Sequence, residues 1–297
     1  MHGILVLDKP AGVTSASAVD RVRRELGVSR AGHGGTLDPI ATGVLPICLG
    51  ACTKLARFLL AEDKAYIAQG MLGIETDTLD RTGRIIAERP VDVSRDALVA
   101  ALAVRLGEQT QIPPMYSAIK QGGVRLYDLA RAGEEVERTP RKIRIDELTL
   151  LAFEPPRFEI AIACSKGTYV RSVIADIGAA LETAAHLTQL RRIRSGRFTI
   201  DQAVPFERLG DAVLIPPEQA LDLERVVVPA PLISKVLSGA PLAPQTLGAQ
   251  NKQFQLVDEL GRLLAVAHAE ASRTVYDRVF PELVRLDLDR GSGRRGA

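Results

Sequence analysis

Short apolar stretches separated by turn residues dominate the first part of the chain. Three of them have strand length and predict buried strands: residues 3–7, 44–49 and 66–72. Further along, Phe158, Ile160 and Ile162 alternate with polar residues, as in a strand with one buried face. We therefore predict two strands within residues 141–165 and a further short strand at 197–200.

A helical period follows the first predicted strand. Val19, Val22 and Leu26 recur at helical spacing and form an apolar stripe. Ser17 can cap the start of this helix, and Gly27 is placed to end it. Further helices are predicted over residues 54–60, 95–106 with Ser94 as the cap, and 168–181.

The order of these elements indicates the fold class and the domains. Helices interspersed with strands at hairpin-like spacing predict an α+β fold, a mixed and mainly antiparallel sheet with flanking helices. Near residue 225 the pattern changes to short strands and turns, including a hairpin through Gly261. We therefore predict a large domain over 1–225 and a small β-rich domain over 230–287. The tail at 288–297 ends in RGSGRRGA, which has little apolar content, and is expected to be disordered.

Composition narrows the class of protein. The chain has 297 residues, 46% hydrophobic and 25% charged, as in ordinary globular proteins. Its apolar stretches are too short for a membrane-spanning helix, and the N-terminus resembles a strand more than a signal peptide. Three cysteines, at positions 48, 52 and 164, cannot all form disulfides with one another. Cys48 and Cys52 are four residues apart, but no second pair of Cys or His residues accompanies them, so a zinc site is not indicated. We expect a cytoplasmic protein with no metal.

Charge is unevenly distributed although the net charge is only +2. Residues 119–144 hold seven Lys or Arg against four acidic residues, and residues 165–197 hold six against two. Such local excess is typical either of a face that binds a polyanion or of an ordinary solvated surface, and charge alone leaves both open.

The most informative segment is the glycine-rich loop over residues 32–46, GHGGTLDPIATGVLP. It places Asp38 before Pro39, which restricts the acid to extended or turn conformations, with His33 close by. The loop could be a turn fixed by Asp38 itself, an anion cradle, or a support for a carboxylate nucleophile or base. No Gly-Lys-Ser/Thr follows, so a nucleotide P-loop does not fit. The loop by itself leaves these alternatives open.

Five further motifs accompany the loop. In chain order the set comprises GILVLDKPAGVTS, the loop itself, KAYIAQGMLGIETDTLDRTG, PPMYSAIKQGGVRLYDLAR, SKGTYVRSVIADIG and HLTQLRRIRSGRF. From about residue 3 to 198 this order and spacing resembles the TruB family of tRNA pseudouridine synthases. More weakly, the C-terminal segment resembles the PUA-type RNA-binding domain of bacterial members. The resemblance implies the pseudouridine synthase fold and isomerisation of uridine 55 in the tRNA T loop to pseudouridine, without a cofactor.

The resemblance also implies a role for individual residues. Asp38 matches the catalytic aspartate, Arg171 its arginine partner, and Tyr66 the tyrosine that stacks on the flipped base. The expected contacts to substrate RNA are His33, Tyr169, Leu190, Lys9, Arg125 and Arg191, with a structural role as the alternative for Lys9. Two departures from the family pattern stand out, a Gly-Gly turn at 122–123 and Ile193 where threonine is common.

The reaction itself explains these residue types. It breaks the bond from uracil N1 to the ribose, turns the base and joins C5 to the same carbon, so water must be excluded and the uridine flipped out. Asp38 can attack the base or sugar, or abstract the proton that begins an elimination; both routes remain open. A dry pocket disfavours an ionised carboxylate, and the Arg171 guanidinium opposes that effect. Tyr66 recovers stacking, and its hydroxyl could remove the C5 proton.

Other interpretations remain to be weighed. Asp77 and Asp80 could form a glycosidase-like carboxylate pair, although a turn fixed by their side chains explains them more simply. The alternative functions are a tRNA-binding folding chaperone, a relative within a guide-RNA particle and a carboxylate hydrolase. The combination of Asp38, Tyr66 and Arg171 favours a synthase over a protein that only binds RNA. The resemblance implies the T-stem loop of tRNA as the partner, and because no feature of the sequence demands an oligomer we expect a monomer.

Overall fold

The apolar stretches fold into strands that pair edge to edge. The computed structural model describes residues 1–117, 120–121, 124–125, 136–249, 252–271 and 273–284. Its strands are β1 (Gly3–Lys9), β2 (Ala31–His33), β3 (Thr42–Leu49), β4 (Lys64–Leu72), β5 (Ile74–Thr76), β6 (Ile85–Glu88), β7 (Gly107–Gln111), β8 (Lys120–Gln121), β9 (Val124–Arg125), β10 (Arg141–Glu154), β11 (Arg157–Cys164), β12 (Ala185–Ser195), β13 (Phe198–Thr199), β14 (Glu224–Val227), β15 (Gln253–Val257), β16 (Leu263–Glu270) and β17 (Arg273–Val279). Its α-helices are α1 (Ser15–Glu25), α2 (Ala56–Leu60), α3 (Arg95–Ala103), α4 (Val170–Ala180), α5 (Ala230–Ser238) and α6 (Pro244–Leu247). Short 3-10 helices lie at Gly50–Leu55, Ile200–Gln202, Phe206–Asp211 and Pro217–Gln219.

Within the described residues, nine strands form one sheet. Its main path runs β1-β3-β12-β4-β11-β10-β7, with β2 paired to β3 and β13 to β12. Among these described pairings, β3 and β12 run parallel and the others antiparallel. The prediction of an α+β fold with a mixed, mainly antiparallel sheet is thus confirmed.

Glycine is required where β3 meets β12. Gly43 has a φ of +97°, and a Cβ there would lie 2.2 Å from the backbone oxygen of Arg192. Only a residue without a side chain allows the two strands to approach this closely. The Asp38 loop enters the sheet at this point, so the crossing fixes one end of the loop.

The first strand is buried on both faces. Leu5 and Leu7 pack in a core with helices α1 and α4, while Ile4 and Val6 pack in a second core with Phe280. The second core also contains Leu263 and Val266 of β16. The small C-terminal sheet, ordered β14-β15-β16-β17, therefore covers the face of β1 opposite the helices.

The first helix begins two residues before the predicted start. Thr14 is the N-cap, and its hydroxyl accepts a hydrogen bond from the Ser17 amide at 3.0 Å, so the assignment of Ser17 as the cap was wrong. The hydroxyl of Ser15 instead donates to Leu37 O at 3.0 Å and accepts from Leu37 N at 2.8 Å. This tie to the Asp38 loop requires Ser15 in the first helical turn, which the local sequence does not reveal.

Most other predicted elements are present. The strands at 44–49, 66–72 and 141–165, the Ser94 cap and the hairpin through Gly261 are confirmed. The predicted helix at 54–60 is shorter, because its first part belongs to the 3-10 helix Gly50–Leu55. Strand β12 and helix α5 were not predicted. The small sheet begins with β14 at Glu224, before the predicted start at 230, since β14 pairs with the distant β15.

Some predictions lie outside the described residues. These are the tail at 288–297, the Gly-Gly turn at 122–123 and the side chain of Arg125. Within the described part of the chain, no helix combines the length and the apolar content needed to cross a membrane.

Candidate active site

The loop that presents Asp38 is held by backbone hydrogen bonds on both sides of the acid. The Gly12 amide donates to Pro39 O at 2.8 Å, and the Ala41 amide donates to Asp38 O at 3.0 Å. Ser15 fixes Leu37 as described above. The Asp38 side chain is 34% exposed, so solvent or substrate can reach it.

Arg171 lies directly against this acid. It is in the first turn of α4, is only 3% exposed, and its Nε is 2.9 Å from Asp38 Oδ2. The N–H of Nε is not aimed at the carboxylate, so the contact is an ion pair and not an aligned hydrogen bond. Its two other nitrogens donate to Thr78 O at 2.9 Å and to Tyr116 O at 2.8 Å, which fixes the guanidinium in place.

The acidic turn after β4 provides a second carboxylate at the arginine. Asp80 Oδ2 lies 3.8 Å from Arg171 Nε, while its Oδ1 accepts hydrogen bonds from Thr78 and Thr82. Asp77 pairs with Arg84, whose Nε is 3.0 Å from Asp77 Oδ2. Both acids fix this turn, as the simpler interpretation predicted.

Tyr66 is buried in the middle of β4. Its neighbours in register are Ile162 of β11 on one side and Arg192 of β12 on the other. Burial raises the pKa of the Tyr66 phenol, and the nearby Arg192 guanidinium partly opposes this. The hydroxyl is therefore protonated at neutral pH.

These side chains share one cavity of about 320 Å³. It is lined by Asp38, Tyr66, Tyr169, Arg171, Leu190 and Arg192, among others. The cavity therefore combines an ion-paired carboxylate with two aromatic rings. A carboxylate paired with a buried arginine, in a cavity with aromatic side chains, is typical of catalytic sites.

Comparison with known proteins identifies the family. The family model described as "TruB family pseudouridylate synthase (N terminal domain)" matches residues 23–170, and that of the "tRNA pseudouridylate synthase B C-terminal domain" matches 171–232. A tRNA pseudouridine synthase B of Syntrophotalea carbinolica is 40% identical over 98% of this chain and 100% of that protein. The chain belongs to the TruB family of pseudouridylate synthases. A second relative, tRNA pseudouridine synthase B of Pseudomonas aeruginosa, is 51% identical over 70% of this chain and 69% of its own length.

Solved structures agree with membership of the TruB family. The structure titled "Crystal Structure of a Cbf5-Nop10-Gar1 Complex" matches with a TM-score of 0.74 and 26% identity, over 94% of this chain and 84% of that chain. The structure titled "Structure of H/ACA RNP bound to a substrate RNA containing 2'-deoxyuridine" matches with a TM-score of 0.71 and 25% identity, over the same shares. This TruB family member is therefore an RNA pseudouridine synthase, an isomerase, on the pseudouridine synthase fold.

Two further residues of the TruB motifs were expected to contact the RNA: Tyr169, which lines the cavity, and His33, which does not. Tyr169 is the N-cap residue of α4, and the guanidinium of Arg141 lies over its ring, 5.5 Å from the centroid. Gln111 hydrogen-bonds both the backbone N–H and C=O of Tyr169. His33, on β2, has a buried Nδ1 without a hydrogen-bond partner among the described residues, and burial lowers the pKa of its ring.

Lys9 and Arg191, two of the basic residues expected to contact RNA, are placed differently. Lys9 is fully buried and donates to Pro10 O and Val13 O, each at 2.8 Å, so its side chain offers RNA no surface. This placement corrects the assignment of Lys9 to RNA contact and fits the structural alternative. Arg191 is partly exposed and forms a bidentate pair with Asp8, at 3.0 and 2.8 Å.

Arg192 was not singled out from the sequence of this TruB family member. It is only 1% exposed and lines the cavity, whereas the neighbouring Arg191 points away to Asp8. Adjacent residues of a strand face opposite sides, so Arg192 shares the face of Leu190. This two-residue spacing was the signal in the sequence that could have indicated Arg192, since Leu190 was already expected to contact the substrate RNA.

The cysteines are part of the core. Cys48 and Cys52 belong to the cluster that joins the two sheets, and burial raises the pKa of both thiols, that of Cys52 to about 12. They behave as small apolar residues. Within the described residues, no three His, Cys, Asp or Glu side chains are grouped so as to hold a metal ion.

Proposed function

We propose that this enzyme converts uridine 55 in the T loop of tRNA to pseudouridine. The relatives named tRNA pseudouridine synthase B support tRNA as the substrate, and the resemblance of the motifs supports the position. The single observation that carries the proposal is the ion pair of Asp38 and Arg171 in one cavity with Tyr66.

The target nucleotide enters the cavity flipped out of its stack. Asp38 lies in the wall of a cavity and is only partly exposed, so a base stacked inside an RNA helix could not reach it. Flipping costs a few kcal/mol, and stacking on an aromatic ring such as Tyr66 recovers about 1–3 kcal/mol. Leu190 and Tyr169 would enclose the base, and His33, with its ring kept neutral by burial, would pack where the base has left the RNA.

Asp38 begins the reaction as an ionised carboxylate held by Arg171. The C1′–N1 bond breaks, a C1′–C5 bond forms, the C5 proton leaves and N1 gains a proton, so that atoms balance without a cofactor. Asp38 either attacks the nucleoside covalently or removes the proton that begins an elimination. Both routes need a carboxylate of fixed direction, which the buried and multiply bonded Arg171 provides.

The remaining polypeptide provides the RNA-binding surface. Exposed or partly exposed basic residues near the cavity, such as Arg141 and Arg191, suit contacts to phosphates. We propose 1–225 as the catalytic domain and the β-rich segment at 230–287 as a PUA-type RNA-binding domain. We further propose that the enzyme acts as a cytoplasmic monomer.

The direct test is to map the product on an unmodified tRNA transcript. After incubation with the pure protein, carbodiimide treatment and primer extension should give a stop at one T-loop uridine, without added metal or cofactor. A control transcript with cytidine at that position should give none. A protein that only binds and refolds tRNA would leave every uridine unmodified, and that result would refute the proposal.

A further inference from the structure

We propose that Arg192 is a positioning residue that locks the Asp38 loop onto the strand pair bearing Tyr66. This inference rests on the function proposed above and concerns how the acid and the stacking ring keep a fixed separation. Arg192 does not touch the reacting atoms in this role; it acts through the loop and the ring.

The burial of Arg192 is the first observation. Its side chain is 1% exposed, and among the described residues its hydrogen-bond partners are backbone carbonyls and not carboxylates. A buried cation without an acidic partner is costly, and an apolar side chain of similar size is often at least as stable. Burial of the guanidinium is therefore not by itself evidence that Arg192 stabilises the sheet.

The hydrogen bonds of Arg192 span the loop from end to end. Nη2 donates to Gly35 O at 3.1 Å and Nη1 to Thr36 O at 3.3 Å, on the N-terminal side of Asp38. Nε donates to Val44 O at 2.7 Å, on the C-terminal side. One rigid, planar group thus fixes both ends of the segment that presents the acid.

The same guanidinium contacts the ring side of the cavity. Arg192 and Tyr66 face each other in register across β12 and β4, both line the cavity, and the guanidinium lies near enough to the phenol to oppose the rise in its pKa. Its strand also crosses Gly43 at the end of the loop. A movement of the loop relative to Tyr66 would therefore have to break the Arg192 hydrogen bonds.

Geometry and charge make different predictions for lysine at this position. Lysine keeps the positive charge, but its single ammonium cannot reach the carbonyls at both ends of the loop. The charge at position 192 is also not the only positive charge near the acid, because the buried Lys9 lies within electrostatic range of Asp38 and Arg192. If position 192 contributes only charge, lysine should serve as well as arginine.

The experiment compares Arg192→Lys and Arg192→Gln with the wild type and with Arg208→Gln. Arg208 is an exposed arginine that pairs with Asp211 on a surface turn, so it controls for loss of an arginine. Thermal melts report the fold, and filter binding gives the Kd for unmodified tRNA. Single-turnover conversion at saturating enzyme gives the rate of the chemical step.

The expected result is a loss of rate without a loss of binding. Misplacement of a catalytic group by about 1 Å costs on the order of 100-fold, so both Arg192 variants should lose about 100-fold in single-turnover rate. Their Kd values should stay within about threefold of the wild type. A residue that merely supports the fold would lower the melting temperature and leave the rate of the folded protein unchanged.

Three results would overturn the inference. The first is a folded Arg192→Lys protein with a rate within about threefold of the wild type. The second is a rise in Kd for tRNA that is large enough to account for the loss in rate, and the third is the absence of a cooperative melt in both variants. The last would make Arg192 a residue of the fold. If neither the wild type nor Arg208→Gln converts uridine, the proposed synthase function fails. If both convert it and one of the three results above is found, only the inference about Arg192 fails.

Discussion

At the scale of single residues, the site consists of one accessible acid among buried cations. Asp38 is the exposed member, while Arg171, Arg192 and Lys9 are buried around it. The resemblance of the motifs to the TruB family indicated Asp38, Tyr66 and Arg171, whereas the Asp38 loop by itself left several roles open. The motifs did not distinguish Arg191 from Arg192, since only the strand register determines which arginine faces the cavity.

The Tyr66 hydroxyl offers a test of the second role suggested for this residue. Tyr66→Phe keeps the stacking ring but removes the hydroxyl, which is protonated at neutral pH and can take up the C5 proton only as it gives up its own. If it acts in this way, we expect single-turnover conversion to fall by about 100-fold or more. The Kd for tRNA should stay close to that of the wild type. Tyr276→Phe, which loses a hydrogen bond to Ala240 O, is the matched control. A Tyr66→Phe enzyme with the wild-type rate would leave stacking as the only role.

Lys9 makes a prediction about stability and pH. Burial lowers the pKa of Lys9 from 10.5 to about 8, so between these pH values the unfolded chain holds a proton that the folded protein has released. The cost of burying the charge is present below pH 8 and is relieved as the pH rises towards 10.5. The wild type should therefore gain stability relative to Lys9→Met across this window.

Denaturant unfolding at several pH values measures this difference. The exposed Lys142→Met variant is the control, and its curve should run parallel to that of the wild type. If the Lys9→Met curve is also parallel, the amine of Lys9 does not titrate in the folded protein as its burial implies.

At the scale of elements, the position of the acid depends on contacts between distant segments. Apolar periodicity was enough to predict β3, β4, β11 and most of α1. It could not predict β12, whose sequence is rich in charge because Arg191 and Arg192 face Asp8 and the cavity. Nor could it reveal that Ser15 in α1 holds the loop, since that contact joins residues 22 positions apart.

Two hydroxyls on α1 separate stability from catalysis. Thr14→Ala removes the helix cap and should cost about 1 kcal/mol of stability, with little effect on the rate of the folded protein. Ser15→Ala removes both hydrogen bonds to Leu37 and should cost about 1–3 kcal/mol. Only Ser15→Ala should also slow single-turnover conversion, because it frees the loop beside Asp38. Equal rates for the two variants would show that the loop does not need this tie.

At the scale of the whole molecule, the small C-terminal sheet packs against the first strand of the large sheet. Ile4 and Val6 of the first strand pack with Leu263, Val266 and Phe280, so the small sheet is not an independent appendage. The change of pattern near residue 225 indicated a second unit. Its interface could not be predicted, because a strand buried on both faces gives no sign of which distant element covers it.

Binding of tRNA should depend steeply on salt. The basic excess at 119–144 and 165–197 suits phosphate contacts. Each such contact releases counterions from the RNA and so adds to the slope of log Kd against log salt. Arg141→Gln should weaken binding of all tRNA sequences alike and reduce the slope by about one. Filter binding between low and moderate salt measures both. A flat salt response would contradict a phosphate-lined face.

The central claim is that Asp38, held by Arg171, rearranges a flipped uridine, and release of the C5 hydrogen tests it most directly. Wild-type enzyme should release tritium from a tRNA transcript labelled at C5 of uridine. Asp38→Asn should release it at below about a thousandth of that rate while binding tRNA with a similar Kd. Asp211→Asn, which removes a surface carboxylate paired with Arg208, should release tritium normally. Tritium release by Asp38→Asn at the wild-type rate would contradict the account.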